Sequence, residues 1–173
     1  MKVIEDSNFL SKSQKKHIEN VILGNNFPFY YTYTNGPIND YPFLAHIILQ
    51  RPELRNHNDF NSPHYQFFIE IFKSFCDKNN IKYSKFFRIA VNLTFKLKQK
   101  KPEIHIDHSF EHKQLIIYLN DCDQSAKTIL LKNNKKYKEI KPEKYKGVCF
   151  DKCKHYALYP KTNARVVVVY TFI

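Results

Sequence analysis

From residue 86 onward the apolar side chains fall on every second position. Phe87, Ile89, Val91, Leu93, Phe95 and Leu97 alternate with Arg88, Ala90, Asn92, Thr94 and Lys96. Only a strand sends successive side chains to opposite faces, so this run predicts a strand with one face on a core. Shorter runs of the same kind predict strands over 104–107, 113–120, 128–131, 147–150, 155–158 and 164–172. Upstream the pattern is different. Ile18, Val21 and Ile22 share one side of a predicted helix that starts at Ser11 or Ser13, runs to Leu23 and stops at Gly24. A second helix is signalled by Ser62 as cap, Pro63 in the first turn, and Tyr65, Phe68, Ile69, Phe72, Phe75 and Cys76 at helical spacing. Between them, 27–34 is aromatic and β-branched and reads as a strand. Helices followed by many short strands predict a mainly β chain with N-terminal helices, a helix-supported sandwich or jelly roll. The 173 residues suffice for a single domain with its own core. Residues 1–85 are expected to form a helical and β support region for a β core over 86–173.

Composition removes several function classes. There are three glycines, Gly24, Gly36 and Gly147. Their scatter excludes a G-x-G-x-x-G dinucleotide turn, a P-loop and a G-x-S-x-G nucleophile elbow. The formal charge is +12, and it is uneven: 127–161 holds 11 lysines against Glu139, Glu143 and Asp151. Such a segment attracts polyanions or acidic partners, or is simply a solvated lysine face. The four cysteines (Cys76, Cys122, Cys149, Cys153) and the lack of an apolar leader lead us to expect a reducing, cytoplasmic setting. No apolar run reaches membrane-spanning length, so no membrane partner is expected. Asn92-Leu93-Thr94 matches a glycosylation sequon but lies inside a predicted strand, and is read as chance.

The stretch Glu103-Ile-His105-Ile-Asp107-His108 carries the most chemistry. On a strand, His105 and Asp107 point to one face and present an imidazole beside a carboxylate. With one more histidine, these ligand types make the facial triad of non-haem Fe(II) oxygenases, which leaves coordination positions open. An H-x-D tripeptide alone is common. Downstream, His155 precedes the last predicted strand and Arg165 opens it. Arginine suits bidentate pairing with a carboxylate. Other groups read less specifically. His108 and His112 are expected to be solvated loop residues or substrate contacts, and His17, His46, His57 and His64 structural. Cys149, Cys153 and His155 raise a rival zinc site without an evident fourth ligand. Phe29, Tyr30, Tyr31 and Tyr33 either pack in the core or line a cleft, or stack on bases.

Taken together, residues 86–172 resemble the prolyl-4-hydroxylase-like branch of the 2-oxoglutarate/Fe(II) dioxygenases, most closely its small bacteriophage-encoded members. His105, Asp107, His155 and Arg165 match that family's pattern in order and spacing, and Ile117-Tyr118-Leu119-Asn120 looks like its "YLN" strand. The resemblance implies a double-stranded β-helix, the cupin-like form of the jelly roll. It implies Fe(II) on His105, Asp107 and His155, which would be the catalytic centre, with 2-oxoglutarate and O₂ as co-substrates. Arg165 and Tyr118 would hold the far carboxylate of 2-oxoglutarate, with Asn92 as a further contact. The implied reaction is hydroxylation of a peptidyl, prolyl-type substrate with release of succinate and CO₂. For a phage-encoded chain the setting would be the host cytoplasm. The basic 127–161 segment leaves two other readings open at this point: an oxygenase acting on nucleic acid, and a non-enzymatic jelly-roll module that binds metal or nucleic acid.

Overall fold

The computed structural model describes residues 1–32, 43–54, 59–97 and 104–173. Ten strands form two antiparallel sheets. Their ranges are β1 (Val3–Asp6), β2 (Tyr30–Thr32), β3 (Phe43–Leu49), β4 (Phe86–Thr94), β5 (Lys113–Tyr118), β6 (Thr128–Lys132), β7 (Lys135–Ile140), β8 (Gly147–Asp151), β9 (His155–Ala157) and β10 (Arg165–Phe172). The large sheet has the order β1-β8-β5-β10-β4-β3-β2 and the small one β7-β6-β9. The chain crosses between them from β5 to β6, β7 to β8, β8 to β9 and β9 to β10. This is the jelly-roll layout expected from the alternating pattern. Tyr33, Gly36, His57 and Glu103, named above, and the last two positions of the strand read over 27–34 lie outside the described residues.

The period-two pattern of β4 decides which residues serve the core and which the interior between the sheets. Ile89, Val91 and Leu93 join Val166, Val168, Tyr170 and Phe172 of β10 on the outer face of the large sheet. Helix α2 (Tyr65–Lys78) covers that face with Phe68, Ile71, Phe72 and Phe75, none of them exposed. The Tyr170 hydroxyl donates to the Phe68 carbonyl at 2.9 Å and pins helix to sheet. Gly147 is needed beneath this layer, because a Cβ there would sit 2.5 Å from the Phe75 ring. On the opposite face Arg88, Asn92, Val167, Val169, Gln114 and Ile116 look into the sandwich.

The N-terminal region differs from the expectation in several respects. Ser11 caps α1 (Lys12–His17) through a capping box with Gln14. The chain then widens into a π turn over Ile18–Ile22 before Gly24 ends it. α2 starts two residues after Pro63, and buried Ser62 accepts from the His64 amide at 3.1 Å. β1, β3 and β7 were not expected. β3 is an apolar run broken only by His46, which fits a buried helix as well as a buried strand. β7, Lys-Lys-Tyr-Lys-Glu-Ile, is a lysine-rich edge with only one buried residue. Its partner is reached through Asn133-Asn134, both at positive φ, a two-residue turn signal. The strand expected over 104–107 is instead a single bridge between His105 and His155. No helix among the described residues is long and apolar enough to cross a membrane.

His46 shows what a buried histidine does here for stability. It bonds the Pro28 carbonyl at 2.8 Å and Ser62 Oγ at 2.7 Å, and burial lowers its pKa from 6.5. The folded protein therefore resists a proton that the unfolded chain accepts. This stabilisation is present above the unfolded pKa and is lost as pH falls below it. Urea unfolding should show a lower midpoint at about pH 5 than at about pH 7.5, and His46→Asn should flatten that slope. An unchanged slope in the variant would assign the pH dependence to other groups.

Candidate metal and co-substrate site

A cavity of about 360 Å³ opens between the two sheets. At one end the structure brings together His105, Asp107 and His155, with one ligand atom from each all within 4.8 Å of one another. The backbone arranges this directly. His105 and His155 each donate their amide to the other's carbonyl at 3.0 Å, which fixes the two imidazoles side by side with ring centroids 4.5 Å apart.

The protonation pattern of the cluster tests whether a cation fits. His155 Nδ1 lies 3.0 Å from the Cys153 carbonyl oxygen, which can only accept, so Nδ1 carries the proton. Burial drives the His155 pKa down to about 4 against the pull of Asp107, so the ring is neutral near pH 7. Its Nε2 lone pair therefore faces Asp107 Oδ2 at 3.4 Å, and Gln114 Nε2 stands 3.4 Å from the same nitrogen. Asp107 Oδ2 is buried and has no hydrogen-bond partner. Burial alone would raise the Asp107 pKa, but the positive charges around it hold the group well below the usual carboxylate range. A lone pair and a carboxylate oxygen thus converge in a dry corner, an arrangement that a divalent cation satisfies.

The second end of the cavity is built around Arg165, which is 4% exposed. Its Nη2 donates to Thr128 Oγ1 at 3.0 Å, and its Nε is buried without a partner. The Tyr118 and Thr128 hydroxyls are 2.8 Å apart, and the guanidinium stands 5.2 Å from the centre of the Tyr118 ring. Asn120 sets the start of β10: its Nδ2 donates to the Ala164 carbonyl at 2.7 Å and its Oδ1 accepts from the Val166 amide at 2.8 Å. Asn92 lines the cavity with its buried Oδ1 also unpartnered. Val167, Val169 and Ile116 form the apolar wall between the two ends.

Several readings need correction. His108 and His112 are buried, not solvated. His108 bonds Glu53 at 2.9 Å and Thr171 Oγ1 at 2.7 Å, so both ring nitrogens are occupied. The rival zinc site does not form, because Cys149 belongs to the α2-facing core while His155 faces the cavity. Among the described residues the His-Asp-His cluster alone has metal-binding geometry. In the lysine segment Lys127 and Lys136 share Glu139, Lys138 and Lys146 share Glu5, Lys144 pairs with Glu19 and Lys152 with Glu111, so carboxylates from outside the segment reduce its positive charge without cancelling it. No lysine is among the described residues that line the cavity. The sequence reading missed Thr128, Gln114, Arg51 and Arg88. Arg88 and Gln114 stood at alternate polar positions of strands, which was the available signal; nothing local marks Arg51.

No protein-family model matches the chain, and no curated protein matches it by sequence. Solved structures do match, over nearly its whole length. A 2OG-Fe(II) oxygenase family oxidoreductase from Burkholderia pseudomallei aligns with a TM-score of 0.76 at 14% identity, covering 98% of this chain and 84% of that one. A Trichoplax adhaerens prolyl hydroxylase, solved with a peptide fragment of the hypoxia inducible factor oxygen degradation domain, gives 0.66 at 14% identity over 99% and 83%. The viral collagen prolyl hydroxylase of Paramecium Bursaria Chlorella virus-1, solved with 2OG, gives 0.57 at 14% identity over 98% and 94%. The chain therefore has the double-stranded β-helix fold of the 2-oxoglutarate/Fe(II) oxygenases.

Proposed function

We propose that the protein is an Fe(II)- and 2-oxoglutarate-dependent dioxygenase that hydroxylates a peptidyl, prolyl-type substrate. The observation that carries this reading is the pairing of two half-satisfied ends in one cavity. His105, Asp107 and His155 converge at one end with Asp107 Oδ2 unpartnered, and Arg165 waits at the other with Nε unpartnered. A metal site alone would not need the second end. His105, Asp107 and His155 would hold the iron. With 2-oxoglutarate and dioxygen, the iron supplies an oxidation that leaves succinate and CO₂ and places one oxygen atom in a substrate C–H bond.

The chain's own residues do the rest. His155 keeps its proton on Nδ1 through the Cys153 carbonyl, so that Nε2 stays a donor to metal. Arg165 and Thr128 offer a fork and a hydroxyl to the distal carboxylate, with Tyr118 orienting Thr128. Val167, Val169 and Ile116 exclude water between them. A peptide substrate is favoured over a nucleic acid because no lysine is among the described residues that line the cavity. The peptide seen on the Trichoplax neighbour supports the same choice.

Anaerobic calorimetry of 2-oxoglutarate on the Mn(II)-loaded protein tests the assignment without any knowledge of the substrate. Binding should require metal. Arg165→Ala should weaken it by at least about 30-fold, the effect of truncating one partner of a buried charge pair at roughly 2 kcal/mol. Affinity within twofold of the parent would remove Arg165 from the co-substrate site. Absence of binding in the metal-loaded parent would reject the dioxygenase reading.

A further inference from the structure

Asp107 is held from behind by two arginines. Arg51, just past β3, donates Nη2 to Asp107 Oδ1 at 2.9 Å and Nη1 to the Asp107 main-chain carbonyl at 2.6 Å. Arg88, on the cavity face of β4, donates Nη1 to the same Oδ1 at 3.2 Å. Their side chains are 20% and 9% exposed, and that of Asp107 2%. Both guanidiniums thus crowd one oxygen of the carboxylate and leave Oδ2 as the atom turned toward His155.

The charge balance of this arrangement is unusual. The one carboxylate of the cluster, Asp107, is outnumbered by two guanidiniums, that of Arg88 buried and that of Arg51 partly so. Asp107 is the one acidic residue among the described residues lining the cavity. The nearby carboxylate of Glu53 is half-exposed and engaged by His108. Coulomb energy scales with the charge on the ion, so each arginine opposes a trivalent ion more than a divalent one. The effect is strongest where water cannot screen it.

We propose that Arg51 and Arg88 are positioning residues that present Asp107 through Oδ2 alone and bias the site toward ferrous over ferric iron. The inference rests on the iron site proposed above. Oxidation of resting Fe(II) by one electron, with O₂ as acceptor, would add a positive charge beside the clamp. The arginines would thus hold the iron reduced until substrate arrives.

The test is a redox titration of the iron-loaded protein without substrate, following the ferric electron paramagnetic resonance signal in the parent, Arg88→Met, Arg88→Lys and Arg51→Met. Each methionine variant should raise the Fe(III)/Fe(II) ratio at fixed potential at least about tenfold, a midpoint 59 mV lower for a one-electron couple. Arg88→Lys keeps the charge and should stay within about threefold of the parent. Unshifted midpoints in both methionine variants would overturn the proposal. So would iron lost from both while circular dichroism shows them folded, since the arginines would then only support the ligand. Should Arg88→Met fail to fold, Arg51→Met, at the more exposed of the two arginines, decides alone. A parent that takes up no iron would instead reject the proposed function, and this proposal with it.

Discussion

Replacing Asp107 with alanine should destabilise the metal-free protein by about 3–5 kcal/mol, because it strands buried cations without their counter-charge. Arg88 would lose the one carboxylate that it bonds among the described residues, and Arg51 one of its two bonds to residue 107. The same variant should bind Mn(II) at least about 100-fold more weakly, since one of three ligands is gone. Urea unfolding and metal titration read the two effects separately. Asp107→Asn keeps an acceptor for the arginines, so it should recover part of the stability and little of the metal affinity. Equal stability of Asp107→Ala and the parent would mean that the two guanidiniums are solvated in solution. Undiminished Mn(II) affinity would place the metal elsewhere.

The second large effect belongs to the α2 layer. Phe72 is fully buried, and its ring meets those of Phe86 at 4.6 Å, Phe172 at 4.8 Å, Tyr83 at 4.9 Å and Tyr170 at 5.1 Å. Removing it leaves a hole that four rings cannot fill without leaving the sheet. Phe72→Ala should cost about 3–5 kcal/mol, or roughly 6–20 °C in Tm at 2–4 °C per kcal/mol for a chain of this size. Because the cavity lies on the opposite face of the same sheet, 2-oxoglutarate affinity at low temperature should change little. A loss below about 1 kcal/mol would show that the layer collapses around the gap.

The parts of the fold written in a period were legible before any coordinates. The alternation of 86–94 placed β4, and the helical spacing from Tyr65 placed α2, because burial on one face leaves a repeating mark. Residue types and order singled out His105, Asp107, His155 and Arg165, and these four line one cavity. What escaped had no local mark. Arg51 and Asp107 are 56 positions apart and meet only in the fold, where the segment bridged by His105 to His155 lies against the end of β3. Thr128 is an ordinary β-branched residue until β6 sets its hydroxyl against Tyr118 and Arg165. The charge of the lysine segment was legible only in part for a related reason: Glu5 and Glu19, far upstream in sequence, return to lie against it. Charge counted along a chain is not charge counted across a surface.

The reciprocal amide bridge between His105 and His155 has a mechanical meaning as well as a geometric one. His155 belongs to the small sheet, while Asp107 is tethered through Arg88 to the large one. At the other end of the cavity Arg165 of the large sheet reaches Thr128 of the small sheet. An ion at the first end and a dicarboxylate spanning to the second would each fasten one half of the sandwich to the other. Occupancy would then act as mortar between two walls, and the empty protein would be the state most ready to part along that seam.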